Sequence, residues 1–225
     1  MVNPIGDILP YAIGVMISPL PIIVVISMLS SKHAKSKSLT FLLGWILGLI
    51  IIGGVVLSIA GTQNFSPRSE PSIEASIIRL LAGVLLLFLA ANEWRISIRP
   101  GEQPKLLTRI NAIDTSTSAK AFGLGLLLSA AYPKNLTLTL IAALNIAQAQ
   151  VSGLLNTEVF AVFIIISSIL VVIPVLTSFV LGDKVAKTLD SWKAWNMEHY
   201  TAVMLVVFLG LGAMNLGKGL NGLFG

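Results

Sequence analysis

Cysteine is absent from this sequence, which excludes disulfides, thiol redox chemistry and thiolate metal sites together. Charge is scarce: Asp, Glu, Lys and Arg make up 11% of the chain, against about 25% in ordinary soluble domains. No carboxylate lies inside the apolar runs; Asp7, Glu74, Glu93, Glu158 and Asp183 all fall at their ends. The paired acids that acid–base catalysis needs are therefore missing. Histidine occurs only as His33 and His199, neither with a second histidine at ligand spacing. There is also no Walker-type glycine loop for a nucleotide phosphate. No enzymatic activity, metal or cofactor is expected.

What remains is apolar. Hydrophobic residues form 55% of the chain, and the mean hydropathy is +0.89. Crossing a hydrocarbon core of ~30 Å takes about 20 mostly apolar residues. Six runs qualify, at about 8–30, 39–61, 76–95, 121–147, 157–181 and 200–222. A β-barrel would alternate in polarity over segments of about 10 residues, and blocks such as PIIVVI and VFIII do not. The expected fold class is all-α, a polytopic membrane protein of six transmembrane helices. The opening MVNPIGDILPYAIG has no Lys or Arg before its apolar run, unlike a cleaved signal peptide, so the first span is expected to be retained.

The basic residues divide unevenly between the links. Lys32, Lys35, Lys37, Arg95, Arg99, Lys105, Arg109, Lys120, Lys184, Lys187 and Lys193 lie in links one, three and five; Arg68, Arg79 and Lys218 lie on the other side. Basic loops stay cytoplasmic. Both termini are thus expected outside, in a cytoplasmic (inner) membrane. The pI of about 9.6 reflects these loops meeting anionic head groups, and nucleic acid is not an expected partner. Within the third link, LLTRINAI could form a short interfacial helix. Trp192, Trp195 and Tyr200, before the last span, suit a membrane interface.

Six spans split into three and three, and an odd count makes the second half enter in the opposite sense. The expectation is two inverted three-helix repeats, residues 1–95 and 121–225, joined by a cytoplasmic linker at 96–120. GVMISPLPIIVVI and GLLLSAAYPKNLTLTLI each begin with Gly, carry Ser four residues on (Ser18, Ser129), then proline (Pro19 and Pro21; Pro133). Matched interrupted helices in two halves point to a transporter binding site. Proline suits the first position of a helix, so Pro21 and Pro133 could each start a half-helix whose positive end favours an anion.

Lys134 adds a full charge at that depth, where insertion scales put a lysine at about 2.5–3.5 kcal/mol. Its partners would be water, backbone carbonyls, Asn135 or an anionic ligand; the alternative is a structural lysine on carbonyls freed by the prolines. Ser18, Pro19, Pro21, Ser129, Pro133, Lys134 and Asn135 are the candidate binding residues. Ser18, Thr137, Thr139, Asn145, Ser167 and Ser168 could line a polar path, although hydroxyls in membrane helices often bond their own backbone, and Pro174 could be a gate or a passive kink. Gly44 and Gly48 have the spacing for close helix packing. Asn92 and Asn215 are expected to cap their spans.

Three stretches carry a family resemblance: AIGVMISPLPIIVVISMLSSKHAKSKSLTFLLGWILGL, SAAYPKNLTLTLIAAL and SWKAWNMEHYTAVMLVVFLGLGAMNLGKGL. They resemble the three signature regions of the GAP, or Sap, family of glycopeptidolipid and sulfolipid addressing proteins, within the LysE exporter superfamily. The family's second motif usually reads N-P-K-N; here Tyr132 stands in its first place. The resemblance implies a six-helix inner-membrane protein linked to moving lipids or small metabolites outward. The leading expectation is export or flipping of an anionic amphiphile by alternating access. The alternatives are an exporter of amino acids or small solutes, and a non-transporting accessory protein in envelope lipid export. Expected partners are membrane lipids and an anionic lipid or small-molecule substrate, with a homo-oligomer or lipid-export machinery left open.

Overall fold

The computed structural model describes residues 4–31, 33–62, 73–97, 117–149 and 153–224. They form helices α1 (Pro4–Met16), α2 (Pro19–Leu29), α3 (Ala34–Thr62), α4 (Ile73–Ser97), α5 (Ser118–Ala130), α6 (Pro133–Gln148), α7 (Gly153–Leu181), α8 (Ala186–Glu198) and α9 (Tyr200–Phe224), with a 3-10 turn at Gly182–Val185. No strand occurs among the described residues. Four helices contain an apolar stretch long enough to cross a membrane: Ala34–Ile59, Ile73–Arg95, Leu154–Leu181 and Tyr200–Phe224. The pairs α1/α2 and α5/α6 pass the same test jointly, bent by 49° and 58°. The described residues therefore supply four to six candidate spans, as a multi-pass membrane protein requires. A 13-residue half such as α1 is only ~20 Å long and cannot cross ~30 Å alone.

Both bends have the same local cause. A residue before proline is pushed out of the helical region, and Ser18 (φ −80°, ψ 109°) and Tyr132 (φ −70°, ψ 119°) are both extended. Proline then opens the next helix, where its missing N–H costs nothing. The first restart is at Pro19, not Pro21, because Ser18 already leaves the helix. By contrast, Pro174 is buried inside an α7 that runs on without a break.

Glycine sets the closest packing. A Cβ on Gly44 would overlap the carbonyl oxygen of Phe122, and one on Gly125 that of Phe41, so α3 and α5 touch backbone to backbone. Gly219 likewise brings α9 against Leu80 and Ser76 of α4. Further, α3 packs on α6, and α7 packs on α1 and α2. The two sequence halves are thus interleaved.

Ten of the eleven residues of α2 are buried, and all of them but Ser27 are apolar, which sets this helix within the core. Outward-facing Phe88 (67% exposed) and Val180 (80% exposed) mark the lipid-facing shell. The segment between the fifth and sixth sequence-predicted spans contains α8, a helix that periodicity did not suggest; its Leu189 is buried, and α8 packs on α2. The LLTRINAI segment lies outside the described residues.

Candidate functional site

The two breaks meet, and the residues starting α6 tie them together. Lys134 is fully enclosed (0% exposed), and its Nζ donates to the Gly14 carbonyl at 2.8 Å. Gly14 lies in the last turn of α1, where carbonyls lack intrahelical partners. The lysine therefore caps the negative end of α1 across the bend. Asn135, also 0% exposed, donates through Nδ2 to the Leu128 carbonyl at 2.9 Å, closing the end of α5. Its Oδ1 faces the Ser18 hydroxyl at 3.5 Å, the long limit of a hydrogen bond. Between them, two consecutive side chains seal the ends of two broken helices.

The ammonium carries three donors, yet the Gly14 contact is the one hydrogen bond it makes among the described residues. No described carboxylate pairs with it. Neither of the two cavities described below is lined by Lys134. In this conformation the site is closed.

The remaining sequence-predicted candidates separate into two groups. Ser129 is buried beside Gly48 and returns its proton to Gly125 and Leu126 of its own helix, at 2.9 and 3.2 Å. Thr137 does the same with the Pro133 carbonyl at 2.7 Å. On α7, Ser168 accepts from Trp45 Nε1 at 3.1 Å, while the enclosed Ser167 hydroxyl has no partner among the described residues. These two serines and Pro174 sit on a different helix from the paired breaks and join neither cap.

Several contacts between polar side chains escaped the sequence reading. Tyr132 OH meets Tyr200 OH at 3.1 Å. Tyr11 donates to Asn215 Oδ1 at 3.1 Å. Asn215 is not a cap: it is fully buried within α9, and its Nδ2 donates to Leu211 O at 2.7 Å. Arg79 Nη2 donates to Asn145 Oδ1 at 2.7 Å and to Gln148 Oε1 at 2.9 Å. Asp7 and Tyr11, Asn145 and Gln148, and Asn215 and Lys218 each stand three or four residues apart, hence on one helix face. That recurrence was the available signal.

Two cavities open away from Lys134. One, of about 230 Å³, is lined by Asp7, Arg79, Asn145, Gln148, Ala149 and Lys218. The other, of about 290 Å³, is an apolar groove along Ile17, Trp195, His199, Ala202, Val203 and Val206. Ile17 belongs to the α1/α2 break itself, so this groove reaches the bend.

Comparison with protein families decides what this bundle is related to. The family model described as Sap, sulfolipid-1-addressing protein, matches residues 8–221. The chain belongs to the Sap family. The match embraces both breaks, the glycine seam at Gly44 and Gly125, and the Asn215 helix. No curated protein and no solved structure matches the chain. Sap membership suggests a role in lipid export or addressing, and it makes membrane lipids the surroundings in which the site works.

Proposed function

We propose that this Sap-family protein is a secondary transporter, flippase-like, that exports an anionic lipid or amphiphile across the cytoplasmic membrane. One observation carries the reading: a buried lysine at the meeting of two proline-broken helices, held by a single carbonyl and by no carboxylate among the described residues. An intramembrane cation of this kind is expensive to keep, and an anionic head group is the partner it lacks. The N-terminal ends of α2 and α6 add a partial positive charge of the same sign. The apolar groove at Ile17 offers a lipid tail a lateral approach to the break.

In this reading each bent pair is one crossing, giving six spans in two inverted repeats. Each pair turns by less than a right angle, which suits a continued crossing better than a hairpin return. The closed state described here is the resting form. Head-group entry replaces the Gly14 carbonyl as the partner of Lys134, and the bends at Ser18 and Tyr132 serve as hinges. Hinging there leaves the glycine seams between α3 and α5 intact, whereas rocking whole halves apart would open them. The reading requires no catalysis and no cofactor.

The test is reconstitution of the purified protein in vesicles carrying a head-group-labelled anionic lipid, with translocation followed by quenching from outside. Lys134→Met should lower the rate at least about tenfold, the equivalent of ~1.4 kcal/mol, while the protein still purifies folded. Unchanged translocation removes Lys134 from the mechanism. Translocation that appears only with a copurifying partner assigns the protein an accessory role. Competition by amino acids but not by lipid assigns it the solute-exporter role.

A further inference from the structure

We propose that the polar cavity at the far end of α6 is a second site, one that binds the oxyanion head of a sulfate or phosphate ester. Lys134 and Gln148 are 14 residues apart on one helix, or ~21 Å, so this cavity is separate from the paired breaks. Its wall brings together α1 (Asp7), α4 (Arg79), α6 (Asn145, Gln148) and α9 (Lys218).

Charge selects an anion. Arg79 and Lys218 face one carboxylate, Asp7, which leaves the lining net positive. Both hydrogen bonds of Arg79 go to neutral amide oxygens, so its charge is not neutralised at contact range. These two cations belong to the small set that the sequence places opposite the basic links, with Arg68 as the other member. Two of those three cations thus line one cavity. Basic pockets between transmembrane helices bind lipid head groups on the cytoplasmic side of other membrane proteins, and this cavity offers the same chemistry on the opposite side.

Hydrogen bonding points the same way. Arg79 Nε and Gln148 Nε2 are enclosed with no partner among the described residues, and a buried donor without an acceptor is costly enough to be rare. The lining itself brings donor groups from three helices around one space: a guanidinium on α4, amides on α6 and an ammonium on α9. A tetrahedral oxyanion presents acceptors in those several directions; a planar carboxylate presents two oxygens in one plane.

Size sets what enters. Pockets for drug-sized ligands run about 300–1,000 Å³, so about 230 Å³ admits a head group and not a whole lipid. The neighbouring outward-facing Leu9 and Ile78 leave the tails in the bilayer. As a holding point for an exported head group the site rests on the export reading; as an oxyanion site it stands without it.

The experiment measures binding, not transport. The full chain in neutral-lipid nanodiscs is titrated with inorganic sulfate, with inorganic phosphate and, in a separate arm, with phosphatidylglycerol. Thermal stabilisation and native mass spectrometry supply the readouts. At least one probe should bind, and Arg79→Gln should weaken it at least about tenfold, as expected for loss of a charge-assisted hydrogen bond. Lys218→Gln makes the same test without touching the Asn145 and Gln148 bonds. Lys187→Gln, an exposed lysine of α8, is the charge-matched control and should bind as wild type. Binding of the lipid alone identifies a head-group site; binding of inorganic ions alone identifies a free-anion site. Either outcome supports an oxyanion site. No binding by any probe, or binding indifferent to both Arg79→Gln and Lys218→Gln, overturns it and leaves a water-filled cavity. Lys134→Met that loses translocation yet keeps this binding shows that the two sites fail separately.

Discussion

The two broken pairs are alike in backbone and opposite in chemistry. At the first, Ser18-Pro19-Leu20-Pro21 restarts the helix with apolar side chains buried on every side. At the second, Tyr132-Pro133-Lys134-Asn135 restarts it with a phenol, a cation and an amide. The polar side chains of the second break satisfy carbonyls at the ends of both α1 and α5, whereas the first contributes one long contact from Ser18. Proline supplies the bend in each half, and one half alone supplies the charge. Two breaks built alike in backbone can therefore divide their work, one concentrating the polar contacts while the other provides packing.

Substitutions that exchange these roles should show the asymmetry, beginning with the strongest. Lys134→Glu sets a carboxylate against the carbonyl end of α1 and should cost about 3–5 kcal/mol, the scale of a broken buried charge contact; a thermal melt in detergent, or failure to recover folded protein, reads it. Next, Asn135→Leu strands the buried Leu128 carbonyl and should cost about 1–3 kcal/mol in the same melt. Tyr132→Phe removes only the contact with the Tyr200 hydroxyl and should cost about 0.5–1.5 kcal/mol. Ser18→Ala, at the first break, should fall within about 0.5 kcal/mol of wild type, because its 3.5 Å contact is marginal. If Ser18→Ala matched Asn135→Leu, the claim that the second break does the capping would be lost.

Much of this was legible in the residues. Long apolar runs announced α3, α4, α7 and α9, and paired prolines announced the two bends, because both signals act through the local backbone. The pre-proline residue, not the number of prolines, fixed where α2 begins, so the restart fell at Pro19. Lys134 was conspicuous as a lone charge, but its acceptor, Gly14 O, is 120 residues away and lies in a stretch with no polar side chain to advertise it. The Arg79 cavity was harder to see. Its members come from four helices and look individually like ordinary polar residues at span ends. Asn215 misled for the same reason: a terminal-looking amide proves to be an interior partner of Tyr11 once α9 continues to Phe224. The α8 helix went unread because it buries little, Leu189 and Asn196, and packs on α2, a partner distant in sequence.

The glycine seams have a consequence for how the molecule is made. Gly44 and Gly48 find their counterparts on α5, and Gly83 on α9, all of which leave the ribosome well after the helices they complete. During synthesis the early helices must wait in the bilayer with their smooth faces unclaimed, available to chaperones or to a second nascent copy. Separately encoded fragments cut at the third link should for that reason reassemble when produced together, each supplying the surface the other lacks.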